Sequence, residues 1–277
     1  MRVLVTGGSG FIGKYVVRNL LMKGYEVGIL DILELNDVKS HKIDLRDFKS
    51  VNKVLKKYDA VVHLAVSISD DNLEDFMVNV VGTLNLLTAS VNNKVKRFVY
   101  ASTSSIYEGL NKIPNKESDF VKPKTSYTIC KQMGELYCNS FNKYYNLNTV
   151  SLRFFNVYGK GGHSVINLFI DRVRNNLPVE ISNKKTTRDF IYVEDVADAV
   201  VKALEVDVNG VINVGTGGSV GLVDVASMIY EYLGVKKNIR FKNNERSIFC
   251  ADTKKMREKL KFSPRIDIKS GIRLMLN

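Results

Sequence analysis

Residues 3–13 read VLVTGGSGFIG, an apolar run of strand length followed by glycines at three-residue intervals. In this pattern Gly7 permits a tight turn, Gly10 lets backbone N–H groups approach a pyrophosphate, and Gly13 lets the next helix pack closely on the strand. The positive end of that helix favours a bound anion. We therefore predict a strand at 2–6, a helix at 11–23 and a dinucleotide phosphate site between them. A plain strand-to-helix turn is the alternative.

An acidic residue stands at the end of the second predicted strand, 26–31. Asp31 can accept hydrogen bonds from the adenosine ribose hydroxyls of a dinucleotide, and its charge repels a 2′-phosphate. This pattern favours NAD over NADP. Asp44 follows a short third strand predicted at 42–43. We expect it either to accept from the adenine amino group or to cap the next helix.

The composition is that of an ordinary globular protein. Its 277 residues suffice for one large α/β domain or for one domain with an appendage. The first residues lack a signal-peptide pattern and no apolar run approaches the roughly 18 residues of a membrane span, so we expect a cytoplasmic protein without membrane contact. The net charge of +12 is spread along the chain, which argues against nucleic-acid binding. Neither the three cysteines nor His63 show metal-site spacing, so no metal is expected.

Apolar runs of strand length alternate with longer segments of helical period, which is typical of βαβ units and a parallel sheet. Further strands are predicted at 59–65, 97–102, 149–154, 189–193 and 210–213. Further helices are predicted at 49–57, 73–92, 126–145, 165–175, 195–205, 222–233 and 253–260, the last ending before Pro264. We predict a Rossmann-type, doubly wound α/β fold with a smaller C-terminal substrate-binding domain. The NAD-binding domain would comprise 1–155, with 188–214 returning to it, and the smaller domain 156–187 and 215–277.

Tyr127 and Lys131 lie four residues apart on a predicted helix and therefore share one helical face. Tyrosine, with a pKa near 10, is a poor base at neutral pH, but a neighbouring ammonium favours its phenolate form. Ligands of open α/β sheets bind at the carboxyl edge of the strands. The residues that fall just after predicted strands are Gly7, Asp31, Ala65, Thr103 and Asn156. We therefore expect the candidate residues to meet at one edge of the sheet.

A set of motifs extends in order along nearly the whole chain. They are Gly7-x-x-Gly10-x-x-Gly13, Asp31, Asp44-Leu45-Arg46-Asp47, His63-Leu64-Ala65, Asn79-Val80-Val81-Gly82-Thr83, Ser102 to Tyr107, Tyr127-x-x-x-Lys131, Leu152-Arg153-Phe154-Phe155-Asn156-Val157-Tyr158-Gly159 and Arg188-Asp189-Phe190-Ile191-Tyr192-Val193. Together they resemble the extended short-chain dehydrogenases/reductases of the NAD-dependent epimerase/dehydratase family, similar to UDP-glucose 4-epimerases.

The resemblance implies roles for three catalytic residues. Tyr127 would take the proton from a sugar hydroxyl as phenolate while the hydride of the same carbon passes to C4 of the nicotinamide. Thr103 would hydrogen-bond the same oxygen. Lys131 would hold the nicotinamide ribose and lower the pKa of the tyrosine. In an epimerase, the keto intermediate then turns over and receives the hydride on its other face.

The resemblance also implies two sets of binding residues. The cofactor set is Gly7, Gly10, Phe11, Ile12, Gly13, Asp31, Asp44, Leu45, Leu64, Ala65, Val66, Asn79, Ala101, Tyr127, Lys131 and Phe154. The substrate set is Thr103, Asn156, Arg188 and Arg246. For Arg188, a structural ion pair with Asp189 is an equal alternative to a contact with the phosphates or the nucleotide.

The sequence departs from the family pattern at three places. Ser104 and Ser105 stand where 4,6-dehydratases carry an Asp-Glu pair, and serine cannot do that acid–base work at neutral pH, so a dehydratase is not expected. The segment 67–76, whose loop would lie over the substrate, is short. The family's Arg-Pro-Gly-Asp stretch is replaced by residues 242–246, in which Arg246 is expected to take over the diphosphate contact.

These observations favour a UDP-sugar epimerase acting at C4 with NAD. The alternatives are an NAD(P)H-dependent reductase of a 4-keto-6-deoxy nucleotide sugar and a non-catalytic NAD-sensing or RNA-binding protein. A homodimer through helices 73–92 and 126–145 is expected from the family. An apolar stripe of Phe76, Val80, Leu84 and Leu87 would contribute to it, unless that stripe faces the sheet.

Overall fold

A computed structural model describes residues 1–33, 38–69, 71–110, 112–242 and 246–277. In chain order the strands are β1 (Arg2–Thr6), β2 (Glu26–Asp31), β3 (Lys39–Lys42), β4 (Ala60–His63), β5 (Arg97–Thr103), β6 (Thr149–Phe154), β7 (Asn156–Tyr158), β8 (Val179–Ile181), β9 (Thr187–Arg188), β10 (Phe190–Tyr192), β11 (Gly210–Val214), β12 (Val220–Gly221) and β13 (Ile239–Phe241). Seven of them form one parallel sheet in the order β11-β6-β5-β4-β1-β2-β3.

The helices are α1 (Phe11–Met22), α2 (Phe48–Leu55), α3 (Asn72–Phe76), α4 (Gly82–Asn92), α5 (Ser126–Tyr145), α6 (Val165–Arg174), α7 (Val193–Glu205), α8 (Leu222–Leu233) and α9 (Ile268–Leu276). Helices α1 and α7 bury their apolar faces on one side of the sheet. Helices α2, α4 and α5 cover the other side. Helices on both faces and parallel strands make this a doubly wound Rossmann-type fold, as the alternating pattern predicts.

The main differences from the sequence prediction lie at element ends and near the C-terminus. The third strand runs over Lys39–Lys42 rather than 42–43, and the helix predicted at 73–92 is interrupted by a π-helical turn, Met77–Val81. The segment at 253–260 is not the last helix, because α9 follows it. Asp267 caps α9 by accepting from the backbone N–H groups of Lys269 and Ser270. That cap and the apolar residues that follow it, Ile268, Ile272 and Met275, were visible in the sequence.

The apolar stripe expected at a dimer interface faces the chain's own core instead. Val80 and Leu87 are buried, and Leu84 packs against the cluster that α2, α4 and α5 share with the sheet. Only Phe76 is exposed. Besides Phe76, the exposed apolar side chains on α3 and α5 include Leu73, Ile129 and Leu136. The stripe was expected to face a second copy of the chain, but it faces the core, because α4 is buried on more than one of its faces.

The C-terminal half adds a second apolar cluster beside the sheet. Three short two-stranded sheets, β7 with β10, β8 with β13 and β9 with β12, pack with α6, α8 and α9 around this cluster. Strand β11, by contrast, joins the central sheet beside β6. We therefore propose the division into a cofactor domain and a smaller substrate domain as expected from the sequence. Among the described residues, each helix is too short or too polar to cross a bilayer.

Candidate active site

The glycine-rich turn between β1 and α1 has no room for side chains. Gly7 has φ +69°, and a Cβ atom there would lie 2.6 Å from the backbone nitrogen of Ala65. A Cβ on Gly13 would lie 2.1 Å from the carbonyl oxygen of Gly7. Gly10 is the N-cap of α1 and has no side chain to occupy the N–H groups of the first turn. The turn is therefore a backbone cradle open to a phosphate group.

A cavity of about 400 Å³ extends from this turn across the ends of β1, β2 and β4. The cofactor residues predicted from the sequence that line it are Gly7, Gly10, Asp31, Asp44, Leu45, Leu64, Ala65 and Val66. Asp31 accepts one backbone hydrogen bond on each carboxylate oxygen, from Ser9 (3.1 Å) and Leu33 (3.2 Å). Each oxygen keeps a lone pair for a further donor. A diol fits this position and a phosphate does not.

Asp44 is held by its neighbour Arg46. The guanidinium contacts both carboxylate oxygens at 2.6–3.0 Å, and this pairing lowers the pKa of Asp44. The same arginine reaches Glu74 of α3 at 2.8 Å. Asp44 lines the cavity beside Leu45, and the cap of α2 is Asp47 rather than Asp44. The helix-cap alternative for Asp44 is therefore wrong.

A second cavity, of about 690 Å³, adjoins the first and shares Gly7, Gly10, Leu64 and Val66 with it. The predicted site residues added here are Phe11, Ile12, Gly13, Ala101, Thr103, Tyr127, Phe154, Asn156 and Arg188. The sequence analysis missed further lining residues, among them Ile68, Ser104, Ser105 and His163. For Ser104 and Ser105, the position directly after β5 was the available signal. Among the described residues, this cavity has no acidic lining side chain, whereas Arg188 and His163 can carry positive charge.

Thr103 and Tyr127 are neighbours in the lining of the larger cavity. Thr103 ends β5, and Tyr127 lies in the first turn of α5, which a reciprocal cap between Thr125 and Thr128 fixes (3.1 and 3.2 Å). Burial raises the pKa of the Tyr127 hydroxyl above its ordinary value, and a hydrogen bond with Thr103 offsets only part of that rise. A phenol in contact with a threonine hydroxyl at a cavity wall can exchange a proton with a bound alcohol.

Lys131 lies behind Tyr127 rather than in the cavity lining. Its ammonium is buried, donates to the carbonyl oxygen of Ala101 at 2.8 Å, and lies 6.0 Å from the centre of the Tyr127 ring. Burial lowers the pKa of Lys131 to about 8. In the protein alone, burial holds the pKa of Tyr127 above its ordinary value, and the lowering by Lys131 that the family resemblance implies stays a prediction.

Helix α5 is anchored behind this site by a buried ion pair. Arg153 of β6 contacts both carboxylate oxygens of Glu135 at 2.7 and 2.9 Å, and Ser102 donates to the same carboxylate at 2.5 Å. Both charged side chains are nearly inaccessible to solvent. The ion pair ties α5, which carries Tyr127, to β6, and the Ser102 hydrogen bond ties the same carboxylate to β5, which carries Thr103, so that together they help to set the distance between Tyr127 and Thr103.

Asn79 holds a loop instead of lining a cavity. Its amide accepts from the backbone N–H of Ser67 at 2.8 Å and donates to the Ser67 carbonyl at 2.7 Å. Asp75 accepts from the backbone and hydroxyl of Ser69 in the same loop. These contacts place Ile68 in the wall of the larger cavity. Within the segment 67–76, residue 70 lies outside the described residues.

Arg188 does not pair with Asp189, so that alternative is wrong. The Asp189 carboxylate accepts from the backbone N–H groups of Thr216, Gly217 and Ala251 at 2.8–3.0 Å. Arg188 donates to the carbonyl of Ser247 at 3.0 Å, and its guanidinium lies 4.9 Å from the ring centre of Phe249. Because Arg188 also lines the larger cavity, its positive charge is available to an anionic ligand there.

Two further sequence predictions concern Arg246 and His63. Arg246 is exposed and lines neither cavity, and residues 243–245 of its segment lie outside the described residues. His63 is buried between the hydroxyls of Thr6 (2.7 Å) and Thr83 (2.8 Å), and burial lowers its pKa to about 3. In the part of the chain that the structure describes, no group of three or more His, Cys, Asp or Glu could hold a metal ion.

Comparisons with known proteins agree with this geometry. The family model described as the NAD dependent epimerase/dehydratase family matches residues 3–215. A Methanocaldococcus jannaschii protein with a provisional assignment as UDP-glucose 4-epimerase is 33% identical over 99% of this chain and 97% of its own. The crystal structure of Thermotoga maritima UDP-glucose 4-epimerase with UDP-glucose superposes with a TM-score of 0.93, at 29% identity over 100% and 97% of the two chains. The crystal structure of the Thermus thermophilus UDP-glucose 4-epimerase complex with NAD superposes with a TM-score of 0.89, at 32% identity over 100% of this chain and 98% of that chain. Other relatives are described as decarboxylases and reductases of nucleotide sugars.

Proposed function

Since the chain belongs to the NAD dependent epimerase/dehydratase family, and is therefore an enzyme of the epimerase and oxidoreductase class, we propose that it is a nucleotide-sugar epimerase that inverts C4 of a UDP-hexose. The observation that carries the proposal is the placement of Thr103 and Tyr127 in one cavity that begins at the glycine turn. The larger cavity can then receive the sugar at its Tyr127 wall.

The residues of the first cavity fit NAD, the cofactor of the family. The backbone cradle of Gly7, Gly10 and Gly13 suits the pyrophosphate, and the carboxylate of Asp31 suits the 2′- and 3′-hydroxyls of the adenosine ribose. Bound NAD would supply reversible hydride acceptance at its nicotinamide. Lys131 and the wall residues Ala101 and Phe154 would hold that end of the cofactor.

In the proposed reaction, Tyr127 removes the proton of the C4 hydroxyl as that carbon is oxidised to the ketone, and returns it to the same oxygen when C4 is reduced on its other face. Thr103 hydrogen-bonds the same oxygen and aligns it. Because burial raises the pKa of Tyr127 in the free protein, the phenolate depends on nearby positive charge, and the ammonium of Lys131 supplies part of it. Ser104 and Ser105 line the cavity as neutral hydroxyls, which suits binding of sugar hydroxyls rather than dehydration.

The diphosphate and nucleotide of the substrate are anionic, and the charge of the larger cavity suits them. We propose that Arg188 and Asn156 contact this part of the substrate, since both line the cavity. Arg246 is proposed as a further contact only in a closed form of the enzyme, because its side chain lies at the surface.

One experiment tests cofactor and substrate together. Protein purified without added nucleotide would be denatured, and the released nucleotide would be identified by chromatography and mass spectrometry. The untreated protein would then be incubated with UDP-, dTDP- and GDP-sugars without added cofactor. We expect release of NAD rather than NADP. We also expect the protein to interconvert two UDP-hexoses that differ in configuration at C4, as UDP-glucose and UDP-galactose do.

Two outcomes would contradict the proposal. Steady consumption of NAD(P)H with a 4-keto-6-deoxy nucleotide sugar, without epimerisation, would assign the reductase alternative. Salt-sensitive RNA binding, combined with no turnover of any nucleotide sugar, would assign the non-catalytic alternative.

We also propose a homodimer through the exposed apolar side chains of α3 and α5. Leu136 is 62% exposed and Leu73 67% exposed, on elements that pack against each other. We expect light scattering to give twice the monomer mass, and Leu136→Glu to give the monomer mass. The matched control is Leu21→Glu on α1, whose leucine is 46% exposed on the other side of the sheet. A monomeric wild-type protein, or an equal effect of both substitutions, would contradict this interface.

A further inference from the structure

The buried ammonium of Lys131 has fewer hydrogen-bond acceptors and negative charges around it than such a group ordinarily needs. The side chain is 4% exposed, and its ammonium makes one hydrogen bond, to the Ala101 carbonyl, among the described residues. The nearest carboxylate on its own helix, Glu135, is already shared by Arg153 and Ser102. A buried charge with one acceptor needs a further source of negative potential to stay charged.

Tyr100 of β5 supplies that potential. Its ring centre lies 5.0 Å from the Lys131 ammonium, which is closer than the 6.0 Å to the ring of Tyr127. The face of an aromatic ring carries negative electrostatic potential, and a desolvated cation–π contact at this distance is favourable. Tyr100 is itself fully buried, and its ring packs against that of His63 on the neighbouring strand, with 5.6 Å between ring centres. The ring therefore cannot turn away from the ammonium.

The hydroxyl of Tyr100 has a different role from its ring. Among the described residues it has no hydrogen-bond partner, although it is buried. It lies against the backbone of α5, where a Cβ on Gly134 would be only 2.2 Å from it. The glycine thus lets α5 approach β5 closely enough for Lys131 to reach both the ring and the Ala101 carbonyl. The hydroxyl therefore makes no hydrogen bond that could hold Tyr100 in place, and the contact with the cation is made by the ring.

We propose that Tyr100 is a positioning residue that keeps the Lys131 ammonium charged and in place beneath Tyr127 through the face of its ring. The consequence for catalysis rests on the proposed function, but the effect on Lys131 does not. Burial already lowers the pKa of Lys131 to about 8. Loss of the ring would lower it further, so that the ammonium would be lost as the pH rises through the neutral range. The other groups that act on this ammonium are Tyr127, Cys130, Glu135 and Cys138 on α5, and His63 on β4.

The direct test is a pH titration of Lys131 in the full-length protein by NMR, with lysine labelled with ¹³C at Cε and the resonance assigned by its absence in Lys131→Met. In Tyr100→Phe, which keeps the ring, we expect the pKa of Lys131 to stay within about 0.3 pH unit of the wild-type value. In Tyr100→Leu we expect it to fall by about one pH unit, the size of a desolvated cation–π contact. An unchanged pKa in Tyr100→Leu, or an equal fall in Tyr100→Phe, would overturn the proposal.

A second set of variants guards against failure of Tyr100→Leu to fold. Fluorinated phenylalanines introduced at position 100 keep the shape of the ring while fluorine withdraws electron density from its face. The pKa of Lys131 should then fall in proportion to the number of fluorines, and a flat series would overturn the proposal. In turnover, the fall in activity at high pH should shift to lower pH in Tyr100→Leu and not in Tyr100→Phe. A shift of the lysine pKa without any turnover would leave the role of Tyr100 intact and refute the proposed function instead.

Discussion

Replacing Tyr127 with phenylalanine is expected to lower turnover of the UDP-hexose by about 10²–10⁴-fold, the contribution of a positioned proton-transfer group. The substitution removes only the hydroxyl. The protein should keep the wild-type fold, because phenylalanine retains the ring and the lost hydroxyl belongs to a residue that lines the cavity. Cofactor binding should be retained, because the phosphate turn and Asp31 line the other cavity.

The measurements for Tyr127→Phe are kcat, KM, bound NAD after denaturation and the melting temperature. Tyr144→Phe is the matched control, since that tyrosine lies on the same helix and is 68% exposed. Its turnover should equal that of the wild type. If Tyr127→Phe kept turnover within a few-fold of wild type while NAD stayed bound, the proton-transfer role of Tyr127 would be wrong.

Replacing Gly7 with alanine is expected to abolish co-purification of NAD and to destabilise the protein by roughly 2–5 kcal/mol. Left-handed backbone costs an alanine ~1–2 kcal/mol, and overpacking adds ~1–3 kcal/mol. The second cost arises because the new Cβ would meet the backbone of Leu64 and Ala65 at 2.6–2.8 Å. To relieve this contact, either the glycine-rich turn or the segment that follows β4 must move, and both line the cavity of about 400 Å³.

The Gly24→Ala substitution distinguishes the cost of left-handed backbone from the cost of overpacking. Gly24 also has a positive φ, +79°, but a Cβ there has nothing within 4 Å. The Gly24→Ala protein should be destabilised by only ~1–2 kcal/mol, because of backbone strain, and should keep its NAD. Chemical denaturation measures the stability of both variants, and nucleotide release measures the cofactor. Full NAD content in Gly7→Ala would refute the phosphate cradle.

Much of the cofactor half could be predicted because its signals are local. The bounds of β1, β2, β6, α5 and α8 agree with the sequence prediction, since each has an uninterrupted apolar or helical period and a clear stop. The edge at which Asp31, Thr103 and Asn156 meet also follows from local information, because parallel strands place their carboxyl ends together. The short strands β7 to β9, β12 and β13 were not predicted, because segments of two or three residues carry no period.

Other features depend on the surroundings of a residue and not on its local pattern. The apolar stripe of α4 belongs to the core, because α2 and α5 flank the helix on the same face of the sheet. Asn79 has the sequence context of a cofactor residue but holds the backbone of Ser67. Lys131 was assigned an effect on the pKa of Tyr127, which depends on distance and burial rather than on a four-residue spacing.

Residue order alone thus defined the fold class and identified the glycine-rich turn and the Tyr127–Lys131 spacing as candidate site features, because backbone conformation and helical spacing are properties of short segments. Which charges are paired, which hydroxyls are buried and which aromatic ring faces the Lys131 ammonium were decided by the packing of α5 on β5 and β6. Those contacts join residues that are about 20 to 30 positions apart. Their electrostatic consequences depend on distances of a few ångströms in a low-dielectric interior, which no local pattern encodes.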